Sequence, residues 1–510
     1  MISTVGVVIL RMNNRKIIFR IIGICLIIIS FVLILISVQQ SQKQICVYPE
    51  NSMIANIEVG GLDVYQARSQ LAAVYEKPID IQIDQIILNL TNDQIGLSIH
   101  YDEMLSGINC DNVNQWSNYW SFIWNKSNTE PLHTEIIYDF DEKILQESID
   151  QLIKPYVYQE PTSSFPISGT TQYHPGISGI TLNQEKLMKD IKDQIVSREK
   201  KLIFLELIEI PALPPSIIQI SDQLKEIIQA EEFNGLIEIF IQRLTDGEKL
   251  QLLNWYGEEK NPGVAFTAAS TMKIPIMVST YWRQDLPLSE IMDGWIEYMI
   301  VYSENDPADR LMEQIDAVRG PLIVTNDMQA LGLENTFIAG FFYLGAPLLN
   351  FYQTPANQRT DININPDVYN QTTPEEIGRL LSLIYYCALD DSSQLSKITQ
   401  GKITREECNL MIDTLAKNRM GALIEAGLPE GIKIAHKHGW SQERDGLVHS
   451  FSDVALVFGP ENDFVLTIFL HSPNQLLFDT ANPLIARISQ SIYNGFNPNH
   501  QIAWPFPENN

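Results

Sequence analysis

Cysteine is scarce. The five in 510 residues, Cys25, Cys46, Cys110, Cys387 and Cys408, are too few for a disulfide framework. No CxxC pair and no His/Cys group at zinc-ligand spacing occurs, so no metal is expected, and nothing else in the chain asks for a cofactor. Cys387 and Cys408 are candidates to pair in an oxidising compartment, but two unpaired core cysteines are the expectation. Basic residues are also in deficit, 35 Lys and Arg against 62 Asp and Glu, for a formal charge of -27. Such a surface repels phosphate, which argues against a nucleic-acid partner.

A cleavage site is missing too. Ile21 to Val38 is apolar except for Ser30 and Ser37, and at ~1.5 Å per residue it approaches the ~30 Å of a bilayer core. The small-residue signature of a removed signal peptide does not come after it, and Ser37-Val38-Gln39 is a poor substitute, so an uncleaved anchor is expected over 17–38. Cys25 and Cys46 each come directly after isoleucine, where lipid attachment would need Gly or Ala. Arg11, Arg15, Lys16 and Arg20 precede the apolar run, and the next basic residue is Lys43. The positive-inside rule puts residues 1–16 in the cytoplasm and the remainder of this single-pass membrane protein outside.

The chain beyond the anchor is long enough for two or three domains, and a hydrophobic content of 45% is enough for well-buried cores. Residues 51–210 alternate short strands and helices. Ile57 to Leu62 reads as a strand ending in a glycine turn, and Asp63 as the N-cap of a helix Val64 to Tyr75. Ile79 to Ile83 and Ile86 to Leu90 alternate as strands. Helices are expected over Asp141 to Ile153 and Gln184 to Ser197, with a closing strand Leu202 to Ile210. Pro211-Ala212-Leu213-Pro214-Pro215 is a stiff connector. In 220–500, strands Leu236 to Gln242 and Leu250 to Trp255 come first. A helix-rich stretch comes next, then strands Ile432 to Lys437, Ser452 to Phe458 and Phe464 to Leu470, and a last helix Pro483 to Tyr493. The expected fold is α+β: an antiparallel sheet flanked by helices, with an inserted helical lobe, preceded by a transmembrane helix and a smaller α+β domain.

Three short motifs carry chemistry. Ser270-Thr271-Met272-Lys273 heads an apolar helical run. Residues three apart share a helix face, so a serine hydroxyl can meet a lysine amine whose proton affinity falls when it loses water. Taken alone the pair reads as a helix start with a surface lysine, and Ser197-Arg198-Glu199-Lys200 matches the same pattern as a solvated charge cluster. Ser303-Glu304-Asn305 sits at a helix junction, where a hydroxyl can relay protons and an amide can hold a carbonyl. Lys437-His438-Gly439, with Trp440 next in the chain, lies on an edge strand that offers a fixed cation and a close backbone approach.

In this order and spacing the three resemble the S-x-x-K, S-D-N and K-T-G set of class A β-lactamases and penicillin-binding proteins. The resemblance covers roughly 220–500 and includes Thr372-Thr373-Pro374 and the strand at Asp453 to Val457. It implies a serine hydrolase acting on a β-lactam or a cell-wall peptide. Ser270 would be its nucleophile and Lys273 its base, with Ser303 as proton shuttle and Asn305 as amide anchor. Lys437 would bind the substrate carboxylate, helped by His438, Gly439 and Arg444. The backbone N–H groups of Ser270 and Trp440 would form the oxyanion hole. Residues 51–210 resemble the peptidoglycan-binding type of domain found in VanW-type proteins and some transpeptidases, through Val59-Gly60-Gly61-Leu62, the Gly96/Tyr101-Asp102 stretch and Pro175-Gly176…Gly179; a plain spacer is the alternative.

The departures are specific. Glu304 stands for aspartate and His438 for Thr or Ser. From Gly340 to Pro374 the chain has no glutamate, only Asp361 and Asp367. The family's deacylating base comes from that loop, so an acyl-enzyme that turns over slowly is expected. A wall-binding or β-lactam-sensing protein is the competing reading.

Overall fold

A computed structural model describes residues 11–45, 47–108, 130–418, 420–443 and 445–503. Residues 1–10, which open the expected cytoplasmic tail, lie outside these, as do Cys46, Cys110 and Arg444. Helix α1 (Arg11–Ile45) contains Ile18–Gln39, a stretch long and apolar enough for a membrane span or a signal sequence. The chain divides into two compact units, 1–160 with 179–210, and 161–178 with 211–510.

The first unit is built of small sheets. Helix α2 (Val64–Tyr75) starts at Asp63, whose side chain accepts from Gln66 N in a full capping box. Leu71 and Tyr75 from its inner face join Ile54, Ile57 and Val59 in one core. A second core forms where strands Ile79–Ile83 and Ile86–Leu90 pair antiparallel and helix α3 (Gln184–Ile195) contributes Leu187, Ile191 and Ile195. Two expectations change here. Leu202 to Ile210 is two strands in different sheets: Ile203–Phe204 pairs parallel with Ile79–Ile83, and Leu207–Ile210 pairs antiparallel with Gly179–Leu182. The helix after Asp141 runs Glu142–Ser148 and then widens into a π-helical turn at Ile149–Ile153.

The second unit has the expected α+β architecture. Its six-stranded antiparallel sheet comprises β1 (Leu236–Arg243), β2 (Lys249–Trp255), β3 (Glu258–Lys260), β4 (Lys433–Gly439), β5 (Ser450–Phe458) and β6 (Phe464–His471), in the order β3-β2-β1-β6-β5-β4. First and last segments thus meet at the centre, where Ile239 faces Ile468. Every residue of β1 is buried because the sheet is covered on both faces. Strand alternation divides them: Leu236 and Phe240 enter one core, Ile237, Ile239 and Ile241 the other. Against the second face pack α4 (Ile217–Ala230) and α8 (Phe478–Phe496). The latter begins five residues before Pro483, the start expected from sequence. The first face is covered by the helical lobe, including α5 (Lys273–Arg283), α6 (Asn305–Ile315) and α7 (Pro374–Leu389).

Residues 161–178, read from sequence as part of 51–210, pack in this second unit. Their hairpin is tied to α8 and to the segment just beyond it: Asn494 donates to Thr171 O at 2.8 Å, and Gln501 accepts from Tyr173 N at 2.7 Å. Cys387 and Cys408 form a disulfide, with Cα atoms 5.9 Å apart. This corrects the expectation of two free thiols. Helices α7 and Arg405–Leu415 bring into contact two apolar positions that sequence reading could place only in a core.

Candidate active site

Ser270 sits in a 3-10 turn, Ala269–Met272, that leads directly into α5. In a 3-10 turn residues i and i+3 eclipse one another, so the serine–lysine spacing works better here than on the α-helix expected from sequence. Lys273 Nζ is 3.1 Å from Ser270 Oγ. The turn is held from outside: Asn370, on a short strand Asn370–Thr372, accepts from Ala269 N at 2.8 Å through its side chain and from Ala268 N at 3.3 Å through its carbonyl. Ala269 and Ser303 both have positive φ, +48° and +61°, a region that non-glycine residues keep only when their surroundings over-determine it.

Lys273 and Lys437 are both 0% exposed. Lys273 Nζ donates to Ser303 O at 2.6 Å and to Asn305 Oδ1 at 2.8 Å, and lies 3.4 Å from Ser303 Oγ. Lys437 Nζ reaches the same Ser303 Oγ at 2.8 Å. The three motifs therefore converge on one hydroxyl between two amines. Burial lowers Lys273 to about 7, against the upward pull of Asp309 and Glu304. Burial, and then the charge of Lys273, likewise bring Lys437 to about 7. Near neutral pH one amine can thus be charged while the other holds a free electron pair.

Gly439 brings β4 onto the Ser270 turn. A Cβ there would lie 2.9 Å from Ala268 O and 2.8 Å from Ser452 Oγ, so only glycine fits. Among the described residues the N–H groups of Ser270 and Trp440 have no acceptor in the protein. Glu304 occupies the N-cap of α6 with an exposed side chain that makes no capping bond.

His438 lies apart from this group. Strand alternation sends Lys437 and Gly439 toward the helical lobe and His438 to the other face, where its ring stacks on Trp440 at 4.7 Å. Its Nδ1 is buried without a partner, and burial together with the Lys437 charge lowers the ring to about 3, so it is neutral. His436, also facing away, is a buried cation. Its Nδ1 is 3.1 Å from an Asp453 carboxylate oxygen and its Nε2 3.1 Å from Asn418 O. Both partners are acceptors, so both ring nitrogens must donate. Burial disfavours that charge, but Asp453 outweighs it and raises the histidine.

Neither loop aspartate is in this group. Asp361 pairs with Arg359 at 2.7 Å, and Asp367 accepts from Tyr369 N at 3.1 Å. The second Ser-x-x-Lys match does not bring its two side chains together: Ser197 donates to Glu199 O and Lys200 to Gln194 O. Sequence reading missed three contributors, Asn370, Phe342 and Asp309. The Phe342 ring lies 5.6 Å from Lys273 Nζ, and Asp309, 6% exposed, accepts from Phe342 N at 2.7 Å. Asn370 stood two residues before Thr372-Thr373-Pro374 and Asp309 one helical turn beyond Asn305, while Phe342 stood near no recognised feature.

The model of the Beta-lactamase enzyme family matches residues 292–496. That stretch holds Ser303, Asn305 and Lys437 but begins after Ser270 and Lys273. No curated relative matches the chain. Similar solved structures include a β-lactamase from Chitinophaga pinensis DSM 2588, at 16% identity and TM-score 0.39 over 55% of this chain and 99% of that one. A representative of class A β-lactamase from Bacteroides cellulosilyticus DSM 14838 aligns at 17% identity and TM-score 0.39, over 55% and 97%. PBP-A aligns at 18% and 0.38, over 56% and 98%. The stretch from 292 to 496 is similar in sequence to the Beta-lactamase enzyme family, and the domain that contains it is β-lactamase-like.

Proposed function

We propose that this chain is a membrane-anchored, extracytoplasmic serine hydrolase of the class A β-lactamase/penicillin-binding type. The observation that carries the reading is the pair of buried amines meeting at Ser303 Oγ, one of them 3.1 Å from Ser270 Oγ. Neutral Lys273 takes the Ser270 proton as Oγ attacks a β-lactam or acyl-D-Ala-type carbonyl. The N–H groups of Ser270 and Trp440 receive the developing oxyanion, each such donor being worth about 3–4 kcal/mol. Ser303 passes a proton to the leaving nitrogen, Asn305 orients the substrate amide, and charged Lys437 holds Ser303 and attracts the substrate carboxylate. Arg444 would complete the carboxylate side of the cleft in this reading, while His438, on the other face of the sheet, is left out of it.

With Asp361 and Asp367 committed elsewhere, water attack on the acyl-enzyme has no loop base and is slow. That observation also favours the second reading, a wall-binding or β-lactam-sensing protein whose acylated state is the endpoint. The Cys387–Cys408 bond suits an extracytoplasmic location, as does the charge pattern around α1. Residues 51–210 would contact peptidoglycan.

Intact-mass spectrometry of the full-length protein after exposure to penicillin tests both steps. A stable adduct that Ser270→Ala abolishes is expected. An adduct surviving that substitution rejects the nucleophile, and rapid release with turnover of a chromogenic cephalosporin rejects the slow step.

A further inference from the structure

A buried carboxylate near the lysine amine comes from a helix, not from the loop. Asp309 lies one turn beyond Asn305 on α6, and both residues bear on the same lysine: Asn305 bonds its Nζ, while Asp309 is the larger of the two negative charges felt by it. Asp309 is also joined to that lysine through the loop. It accepts from Phe342 N at 2.7 Å, and the Phe342 ring lies against Lys273 Nζ. A buried carboxylate is costly to keep unless it has donors and a cation nearby. This one has the Phe342 and Tyr343 N–H groups as donors, which helps α6 tolerate it.

Resting on the acylation reading of Ser270 and Lys273, we propose that Asp309 is a positioning residue for Lys273. It pins Phe342 against the amine and supplies the buried negative charge that sets how tightly the amine holds its proton. The other charged or titratable groups bearing on Lys273 are Glu304 at the cap of α6 and Lys437 and His438 on β4. Those bearing on Asp309 itself are Asp306 and Glu313 of its own helix. Burial raises Asp309 to about 6, against the pull of the Phe342 and Tyr343 amides, so it is mostly ionised where Lys273 titrates, about 7.

A negative neighbour favours the ammonium, so removing it lets Lys273 lose its proton at lower pH. Asp309→Asn keeps an oxygen for Phe342 N–H and deletes the charge. The rate of labelling of the full-length protein by a fluorescent penicillin, measured from pH 5 to 9, rises in the wild type as Lys273 deprotonates. In Asp309→Asn this acidic limb should move down by about 1 pH unit or more, the size expected for one close opposite charge. Glu304→Gln, exposed, should move it less. Should the asparagine variant fail to fold, Asp309→Ser serves the same test. A limb that stays in place while the rate falls at every pH overturns the proposal and leaves a structural role only. Absence of Ser270-dependent labelling in the wild type rejects the acylation reading, and the proposal with it.

Discussion

The two units of this chain differ in what they bury. Among the described residues of the first, Ser52 is the buried polar side chain, and its two cores are otherwise aliphatic and aromatic. The second buries Lys273, Lys437, Glu238, Asp309, His436 and Asp453. An ion taken out of water costs several kcal/mol unless partners replace the lost solvent. His436 and Asp453 have each other. The two lysines bond neutral hydroxyls, a carbonyl and an amide, and among the described residues no carboxylate bonds either of them. Stability does not explain such an arrangement, whereas the proposed chemistry, with a neutral amine beside a charged one, would.

That contrast can be broken most decisively at Lys273. Lys273→Met should slow penicillin acylation by roughly 10²–10⁴-fold, the usual contribution of a positioned base, without lowering the unfolding temperature, since a costly buried amine is gone. Stopped-flow labelling and a thermal melt check the two halves, and a destabilised variant with full activity would invert the comparison. The converse substitution lies in the first unit. Leu71→Ala should cost about 2–5 kcal/mol in that unit, as large-to-small changes at fully buried sites do, and leave labelling at Ser270 unchanged. Denaturant titration with penicillin labelling alongside reads both. A smaller effect is expected from Cys408→Ser. Opening a bond that spans 21 residues should destabilise the second unit by about 3 kcal/mol. A melt unchanged between oxidised protein and this variant would show that the two thiols are not joined.

Much of the fold was legible because its signals are local. Asp63 with Gln66 three residues on is a cap that the chain carries wherever it folds. Five of the six strands of the main sheet were found nearly end to end, because apolar residues recur along most of them; Glu258–Lys260, all charged, carries no such signal and was missed. Boundaries failed where a neighbour decides. Leu202 to Ile210 has one pattern but serves two sheets, and α8 tolerates Pro483 inside its first turns. The disulfide depended on two helices meeting. In the site, Ser270 and Lys273 share a turn, so their meeting could be read from spacing, though not the 3-10 geometry that brings it about. His438 could be read only as a neighbour of Lys437; strand alternation puts it on the opposite face.

The sequence by itself determined which residue types were available: a serine and lysine three apart, a second serine with an asparagine, and a lysine before a glycine. It also determined that the loop lacks a glutamate, and that one long apolar run lies ahead of residues 51–210 and 220–500. Those are properties of the chain's order, and no fold can change them. Only the tertiary structure decided that Lys437, 134 residues beyond Ser303, would donate to the same hydroxyl as Lys273, and that Phe342, bonded through its N–H to Asp309, would place its ring beside the amine. The reason is dielectric as much as geometric. A lysine is an ordinary cation until other segments remove its water, and which segments do so is settled only when the helical lobe packs against the sheet.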